Sequence, residues 1–358
     1  MPRTDRTHTT GKPMTDGGSI DERASATDDD ERPSADDERP HADDDERTGR
    51  VARRRSVLGA VALALVPVGL VAPVVVPLAV VGGLGPLVGV ALAAIVGLGG
   101  SVALGPVVVD RWLGRLPDAD LDDRPTAFIE DRVDDLASSV DVDAPAVRVV
   151  RGDAANVAVV DGFRGSRIVV SARLLSLPRE ERDAALRHAL VRLRRREAAI
   201  TTALLPAAVL VETLALLATL LVGRRNERTA ADRRVNRIHG YEPDHDRIPG
   251  PIYAAAGVIL WLPLLPVWIP FVVGDRLHVA EGRRAADVAV ARAGREERDG
   301  LANAVAFARD AAGAADWLPL LDRLSFVTVV DEETGRVRGT TRQEARIRLA
   351  RLRSKRTI

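Results

Sequence analysis

From Ser56 to Val109 the sequence carries no charged side chain. A stretch of that length cannot be a solvated loop. A soluble helix pair of the same length would need polar residues along an outer face. One membrane crossing takes about 20 apolar residues, so the run is long enough for two. Gly82, Gly83, Gly85 and Pro86 interrupt it near its middle, and such residues punctuate turns. The sequence therefore predicts membrane helices at 57–81 and 84–109. Pro67, Pro73 and Pro77 fall inside the first, which a membrane helix tolerates when neighbours satisfy the freed carbonyls. Arg54-Arg55-Ser56-Val57-Leu58 also fits the start of a twin-Arg export signal. The apolar run continues far past the short hydrophobic region of a cleaved signal, which favours membrane helices.

A third apolar run covers Ala198 to Gly223, with Glu212 as its one charge. A fourth covers Ile252 to Val273 and contains Trp261 and Trp268. The expected fold class is a mainly α membrane protein with about four transmembrane helices and a small α+β cytosolic part. Five segments follow: an acidic tail at 1–54, a membrane hairpin at 55–111, a cytosolic α+β part at 112–197, a second membrane pair with a polar loop at 198–273, and a cytosolic helical part at 274–358.

The tail repeats Asp28-Asp29-Asp30-Glu31-Arg32-Pro33, Asp36-Asp37-Glu38-Arg39-Pro40 and Asp43-Asp44-Asp45-Glu46-Arg47. It has too little apolar surface to offset chain entropy and is expected to be disordered. The formal net charge is zero and aromatics are only 3%, which argues against nucleic-acid partners. The absence of Cys excludes disulfides, thiolate nucleophiles and Cys-ligated metals.

Within the soluble stretches, Ala127 to Val140 reads as an amphipathic helix through Phe128, Ile129, Val133 and Leu136. Ala146 to Val150 and Ser166 to Ala172 read as strands, with a shorter one possible at 157–160. Pro178 opens a helix to about Glu197, with Glu180 and Glu181 in its first turn, where the helix dipole favours them. Phe326 to Arg338 reads as a hairpin-like piece. Arg53 to Arg55, Arg111 and Arg115 flank the first pair of spans, so the positive-inside rule places both ends in the cytoplasm. The second pair conflicts with that rule, because its loop at 224–251 is itself rich in Arg.

Several phrases in this order resemble the HtpX-like membrane zinc metallopeptidases. They are Ala155-Asn156-Val157-Ala158, the strand and Leu-Leu turn from Ile168 to Leu177, and the helix from Arg182 to Arg192. Arg284-Ala285-Ala286-Asp287, Leu301-Ala302-Asn303-Ala304 and the closing helix from Arg342 to Leu349 follow. The resemblance spans about 55–358. It implies a zincin-like cytosolic domain in which two His at i and i+4 and a later Glu hold Zn²⁺, with a Glu beside the first His as general base.

This chain departs from that pattern at nearly every chemical position. His188 stands at the first ligand position, but Ala189 replaces the base and Arg192 the second His. Arg283, four residues before Asp287, stands where the last ligand is expected, and Thr340 and Thr341 stand in place of a late His-Pro pair. Ala189 cannot accept a proton, and a guanidinium does not deprotonate in proteins. The resemblance thus implies a pseudopeptidase, with zinc the family cofactor but not expected here. The partners expected are membrane lipids and membrane proteins, including an active relative. The alternatives are a metalloendopeptidase with relocated ligands and an unrelated transport subunit.

Other candidates have simpler readings. His188 with His278 and Glu281 would make a displaced metal site; the simpler reading is a hydrogen-bonded helix histidine beside a polar patch. His239 and His245 lie near Asp244 and Asp246 in a polar loop. Arg192 to Arg196 form either a lipid-phosphate patch or the ordinary flank of a span. Glu212 is an ionisable group inside a span, which is costly and usually paired. Its expected position faces the bundle or the cytosolic part, not lipid.

Overall fold

The structure is a computed structural model and describes residues 41–119, 123–152, 155–221, 250–310, 319–327 and 341–354. Met1–Glu46 and Arg47–Ile358 are separate compact units; the fold is that of the second. It is mostly helical with one small sheet.

Two long helices come first: α1, His41–Val81, and α2, Pro86–Leu113, joined by a glycine turn in which Gly83 has φ 81°. The helical start at His41 corrects the expected disordered tail over 41–54. An apolar helix already nucleated downstream extends at little cost. Residues 1–40 lie outside the described residues.

The soluble part begins with α3, Asp123–Ser139, and three strands: β1, Ala146–Val150; β2, Val157–Val160; β3, Arg167–Ser171. The order is β1-β3-β2, with β1 parallel and β2 antiparallel to β3. These strands read as continuous apolar runs because both sheet faces are covered. Val157, Val159, Ile168 and Val170 join a core with Ile129 and Val133 of α3. Ala158, Val160 and Val169 face the other way, against Val109 and Leu113 at the end of α2.

The helix α4, Arg179–Arg194, is the central strut of the first core. It stops at Arg195, and Arg196 has φ 55°. That left-handed residue turns the chain directly into α5, Glu197–Leu221. The chain resumes as α6, Gly250–Trp261, and α7, Leu265–Gly274. A π-turn at Asp275–Val279 leads into α8, Ala280–Ala293, and α9, Arg295–Asp310, follows. A 3₁₀ turn at Pro319–Arg323 and a final helix α10, Thr341–Arg353, complete it.

Among the described residues, three helical stretches are long and apolar enough to cross a membrane: Arg54–Val81, Pro86–Leu113 and Glu197–Ala218. The fourth expected span, 252–273, is not one helix. Leu262 to Leu264 form a turn between α6 and α7. Pro263 and Pro266 supply no amide donors and crowd the preceding carbonyls, which breaks the helix there. The expected hairpin at 326–338 lies outside the described residues beyond Val327, as does nearly all of the loop at 224–251.

The helix α2 crosses α5 at backbone contact. A Cβ at Gly105 would stand 2.4 Å from the Thr202 carbonyl oxygen and 2.7 Å from Ala203 Cα, whereas one at Gly99 would meet nothing within 4 Å. Gly105→Ala should therefore lower stability by about 1–3 kcal/mol through overpacking, and Gly99→Ala should not lower it. Thermal unfolding of the two variants in detergent checks the contrast.

Candidate functional site

The helices α4, α8 and α10 converge on a buried charged cluster: His188, Arg192, Arg283, Asp287 and Arg348, all within 6% of complete burial. The structure thus brings together His188 and Arg192 of α4 with Arg283 and Asp287 of α8, although His188 and Arg283 lie 95 residues apart in sequence. Spacing explains each half. His188 and Arg192 are i and i+4 on one face of α4, and Arg283 and Asp287 are i and i+4 on α8.

Every guanidinium in this cluster is spent on backbone carbonyls. Arg192 donates to the carbonyls of Arg323, Leu324 and Ser325 at 2.8, 2.9 and 3.0 Å, and to Glu197 Oε1 at 3.1 Å. Arg283 donates to the Ser325 carbonyl at 3.2 Å and to that of Asp322. Arg348 donates to the Phe326 carbonyl at 2.7 Å and grips Asp287 with two bonds of 2.9 and 2.7 Å. Three arginines therefore hold one segment, 322–326, which leaves the 3₁₀ turn and runs alongside β2. A planar fork with five donors suits this task better than an ammonium.

That segment lies along the free edge of β2. Val159 N donates to the Leu324 carbonyl at 3.1 Å, and Phe326 N to the Val157 carbonyl at 2.7 Å. Asn156 completes the seal: its amide nitrogen donates to the Val327 carbonyl, and its Oδ1 accepts from Val327 N at 3.1 Å. One side-chain amide thereby copies a strand's hydrogen-bonding pattern. The chain itself occupies the edge on which an added strand would otherwise pair.

His188 has a fixed role in this frame. Its Nε2 lies 3.3 Å from Asp287 Oδ1 and 3.4 Å from the Arg283 carbonyl. Both neighbours are acceptors, so Nε2 carries the proton. Nδ1 is buried without a partner, and the ring meets Phe326 edge-on at 5.0 Å. Burial pushes the His188 pKa down; Asp287 opposes this, and Arg348 and Arg192 add to it. Burial would raise the Asp287 carboxyl, but Arg348 and His188 outweigh it and hold the group well below the usual carboxylate range.

The small neighbour Ala189 is buried in the first core and offers no polar atom to this cluster. His278 approaches Ser56 Oγ at 3.5 Å, and Glu281 approaches Arg55 at 3.6 Å. The displaced metal site is not assembled: among the described residues no group of three His, Asp or Glu side chains is placed to hold a metal ion. His239 and His245 lie outside the described residues. The donor set around His188 does not fit zinc: Arg192 and Arg283 present only N–H groups, Nε2 carries a proton, and the Asp287 carboxylate is already gripped by Arg348.

Glu212 faces protein. Arg323 donates to its Oε1 at 2.8 Å and to Asp275 Oδ1 at 2.6 Å, while stacking 5.2 Å from the Phe271 ring. Burial disfavours the charge on Arg323, but Asp275 and Glu212 more than compensate and raise its pKa above the ordinary value. The first half of α5 packs against Leu321 and Leu324 through Leu205, and Glu212 follows on the same helix, paired with Arg323.

No protein-family model, curated protein or solved structure matches the chain.

Acid should loosen this site. His188 favours its neutral form in the fold, so its contribution to stability is complete above its unfolded pKa of 6.5 and is lost as pH falls below it. Asp287 adds a second loss below its ordinary 3.8. Unfolding curves should show falling stability between these values, and His188→Gln should flatten that slope. Arg348→Met should cost about 3–5 kcal/mol, because it strands a buried Asp287. Glu212→Gln should cost under about 1 kcal/mol, since the Gln carbonyl can still accept from Arg323, which keeps Asp275 as its counter-charge.

Proposed function

We propose that this chain is a membrane-embedded, non-catalytic relative of the HtpX-like metallopeptidases that acts by binding other membrane proteins. The observation that carries this is the use of Arg192 and Arg283. At the two positions where the resemblance calls for metal ligands, guanidiniums are bonded to the carbonyls of 322–325. A cation could not enter without displacing two permanent positive charges. Ala189 supplies no base, and the β2 edge is filled by the chain's own Leu324 to Phe326. A helix-and-sheet scaffold kept while its chemistry is replaced suits a holding or regulatory role, with an active relative or another membrane protein as partner.

The proposed placement is multi-pass in the cell membrane with both termini cytoplasmic. The basic flanks Arg53 to Arg55 and Arg111 support it, and α6 with α7 would serve as a broken fourth crossing. Because the chain has no Cys, single introduced cysteines can map each loop without background labelling.

Metal analysis of the purified protein should find well under one zinc per chain, and the protein should leave casein and membrane substrates intact. Chelator-sensitive cleavage would refute the proposal and favour relocated ligands. The triple variant Ala189→Glu, Arg192→His, Arg283→Glu should gain zinc affinity, read as metal content and as a zinc-dependent rise in Tm. If it folds by circular dichroism but gains neither, the scaffold does not descend from a zinc site.

A further inference from the structure

An open crevice of about 840 Å³, lined by none of the residues of the charged cluster, lies where α2, α5, the end of α4, the residues after α3 and the loop 161–166 meet. That volume is within the range of small-molecule sites. Its inner wall is apolar and comes from two helices able to cross a membrane: Val102 and Pro106 of α2, and Ala199, Ile200 and Ala203 of α5. Its mouth is charged. Arg194 and Arg196, at the α4–α5 turn, form its basic lip, and Asp141, Asp143 and Asp161, from the α3–β1 and β2–β3 connections, are taken as its acidic lip.

Three features place this crevice at a membrane surface. First, exposed apolar side chains continue up α2 to Val107 and begin on α5 at Ile200, while Asp110 and Arg194 to Arg196 start the charged zone. The boundary between hydrocarbon and water therefore passes through the crevice. Second, Phe163 is 67% exposed at the tip of the adjoining loop, and Gly162 beside it packs on Pro106 so closely that a Cβ would lie 2.7 Å from Pro106 Cγ. An aromatic held there suits the headgroup layer. Third, the lips leave their charges open. Arg194 and Arg196 make no ion pair with Asp141 or Asp143, and Asp161 accepts only from Ser166 Oγ at 2.8 Å and uses its own amide on Thr202 at 3.3 Å among the described residues. Arg196 and Asp141, at φ 55° and 59°, both hold left-handed backbone. Non-glycine residues adopt that conformation at a cost, and it is tolerated where surrounding structure imposes it.

We propose that this crevice seats one membrane phospholipid. Arg194 and Arg196 take the phosphate, an acyl chain lies along Val102, Ile200 and Ala203, and the acidic lip accepts hydrogen bonds from the headgroup. The acidic lip sets the selectivity. It favours a headgroup with N–H or O–H donors, such as ethanolamine or glycerol, over choline, which has none. It disfavours a bare phosphate monoester, whose extra charge would face three carboxylates.

The test uses the full chain purified in detergent and exchanged against short-chain phosphatidylethanolamine, phosphatidylglycerol, phosphatidylcholine or phosphatidic acid, read by native mass spectrometry. One molecule of the ethanolamine or glycerol lipid should be retained at detergent levels that strip choline lipid, with at least about tenfold weaker retention of phosphatidic acid. Arg194→Gln with Arg196→Asn should reduce retention about tenfold or more; Asn tolerates left-handed backbone, so this variant should fold. Ala203→Trp should fill the inner wall and exclude the lipid while leaving both arginines. Arg295→Ala, on an exposed face of α9, should change nothing. Equal retention of all four lipids, or full retention by the Arg194/Arg196 variant, would overturn the proposal. Binding of inorganic phosphate with no lipid preference would overturn it in favour of a free-anion site. The result is independent of metal content and proteolysis, so failure here leaves the non-catalytic reading to its own assays.

Discussion

Buried guanidiniums satisfying backbone carbonyls are the interaction on which the rest of the soluble part depends. A segment inside a protein must find partners for each amide and carbonyl. Among the described residues, 322–327 have β2 alongside, while Leu324 N and Ser325 N turn back to the Leu321 and Asp322 carbonyls. Arg192, Arg283 and Arg348 supply the missing donors from three helices, and Asn156 supplies the last pair. Burying these cations is costly in itself. Glu197 and Asp287 offset the charge on Arg192 and Arg348. Breaking one member therefore strands another, which ties α4, α8, α10 and the segment into one cooperative unit.

The same network gives His188 a structural role that needs no metal. Its ring fills the space between Phe326 and Asp287, and its Nε2 hydrogen orients the carboxylate that Arg348 grips. A residue type suited to metal ligation serves here as a neutral hydrogen-bond donor. The protein environment decides that role: acceptors surround Nε2, and cations stand nearby. The π-turn at Asp275–Val279 performs a comparable adjustment at the other end of α8 by placing Asp275 against Arg323. Such turns are common where a helix face has to be re-aimed.

Much of this was legible in the sequence. The charge-free run, the Gly82 to Pro86 turn, the strands at 146–150 and 157–160 and the helix bearing His188 all follow from local pattern, and the structure has each. The ordered phrases also led to the pairing of α4 with α8, although the i,i+4 spacing of Arg283 and Asp287 did not itself say which helix they would meet. Other features were not legible. The break at Leu262 to Leu264 depends on whether neighbours rescue the carbonyls freed by proline. The helical extension to His41 depends on a nucleus further along the chain. Glu197 read as the end of a helix, and nothing in the local pattern singled out Arg323 or Arg348. Only tertiary contact reveals that all three are paired inside the protein. Asn156 was noticed within a phrase, but its clamp on Val327 spans 171 residues and leaves no local mark.

The wide sequence separation within the first core has a consequence for biogenesis. Ile129, Phe326, Leu349 and Leu352 belong to one apolar cluster, so the core cannot close until the last helix has left the ribosome. At roughly 5–20 residues per second, α1 and α2 would emerge many seconds earlier and could enter the membrane first. During that interval β2 presents an uncovered edge, and the faces of α4 meant for α9 and α10 stay wet. The newborn chain is thus a tethered, half-formed domain held beside the bilayer. Its most exposed moment comes before Phe326 arrives, and a holding chaperone would have to act there, at the membrane surface.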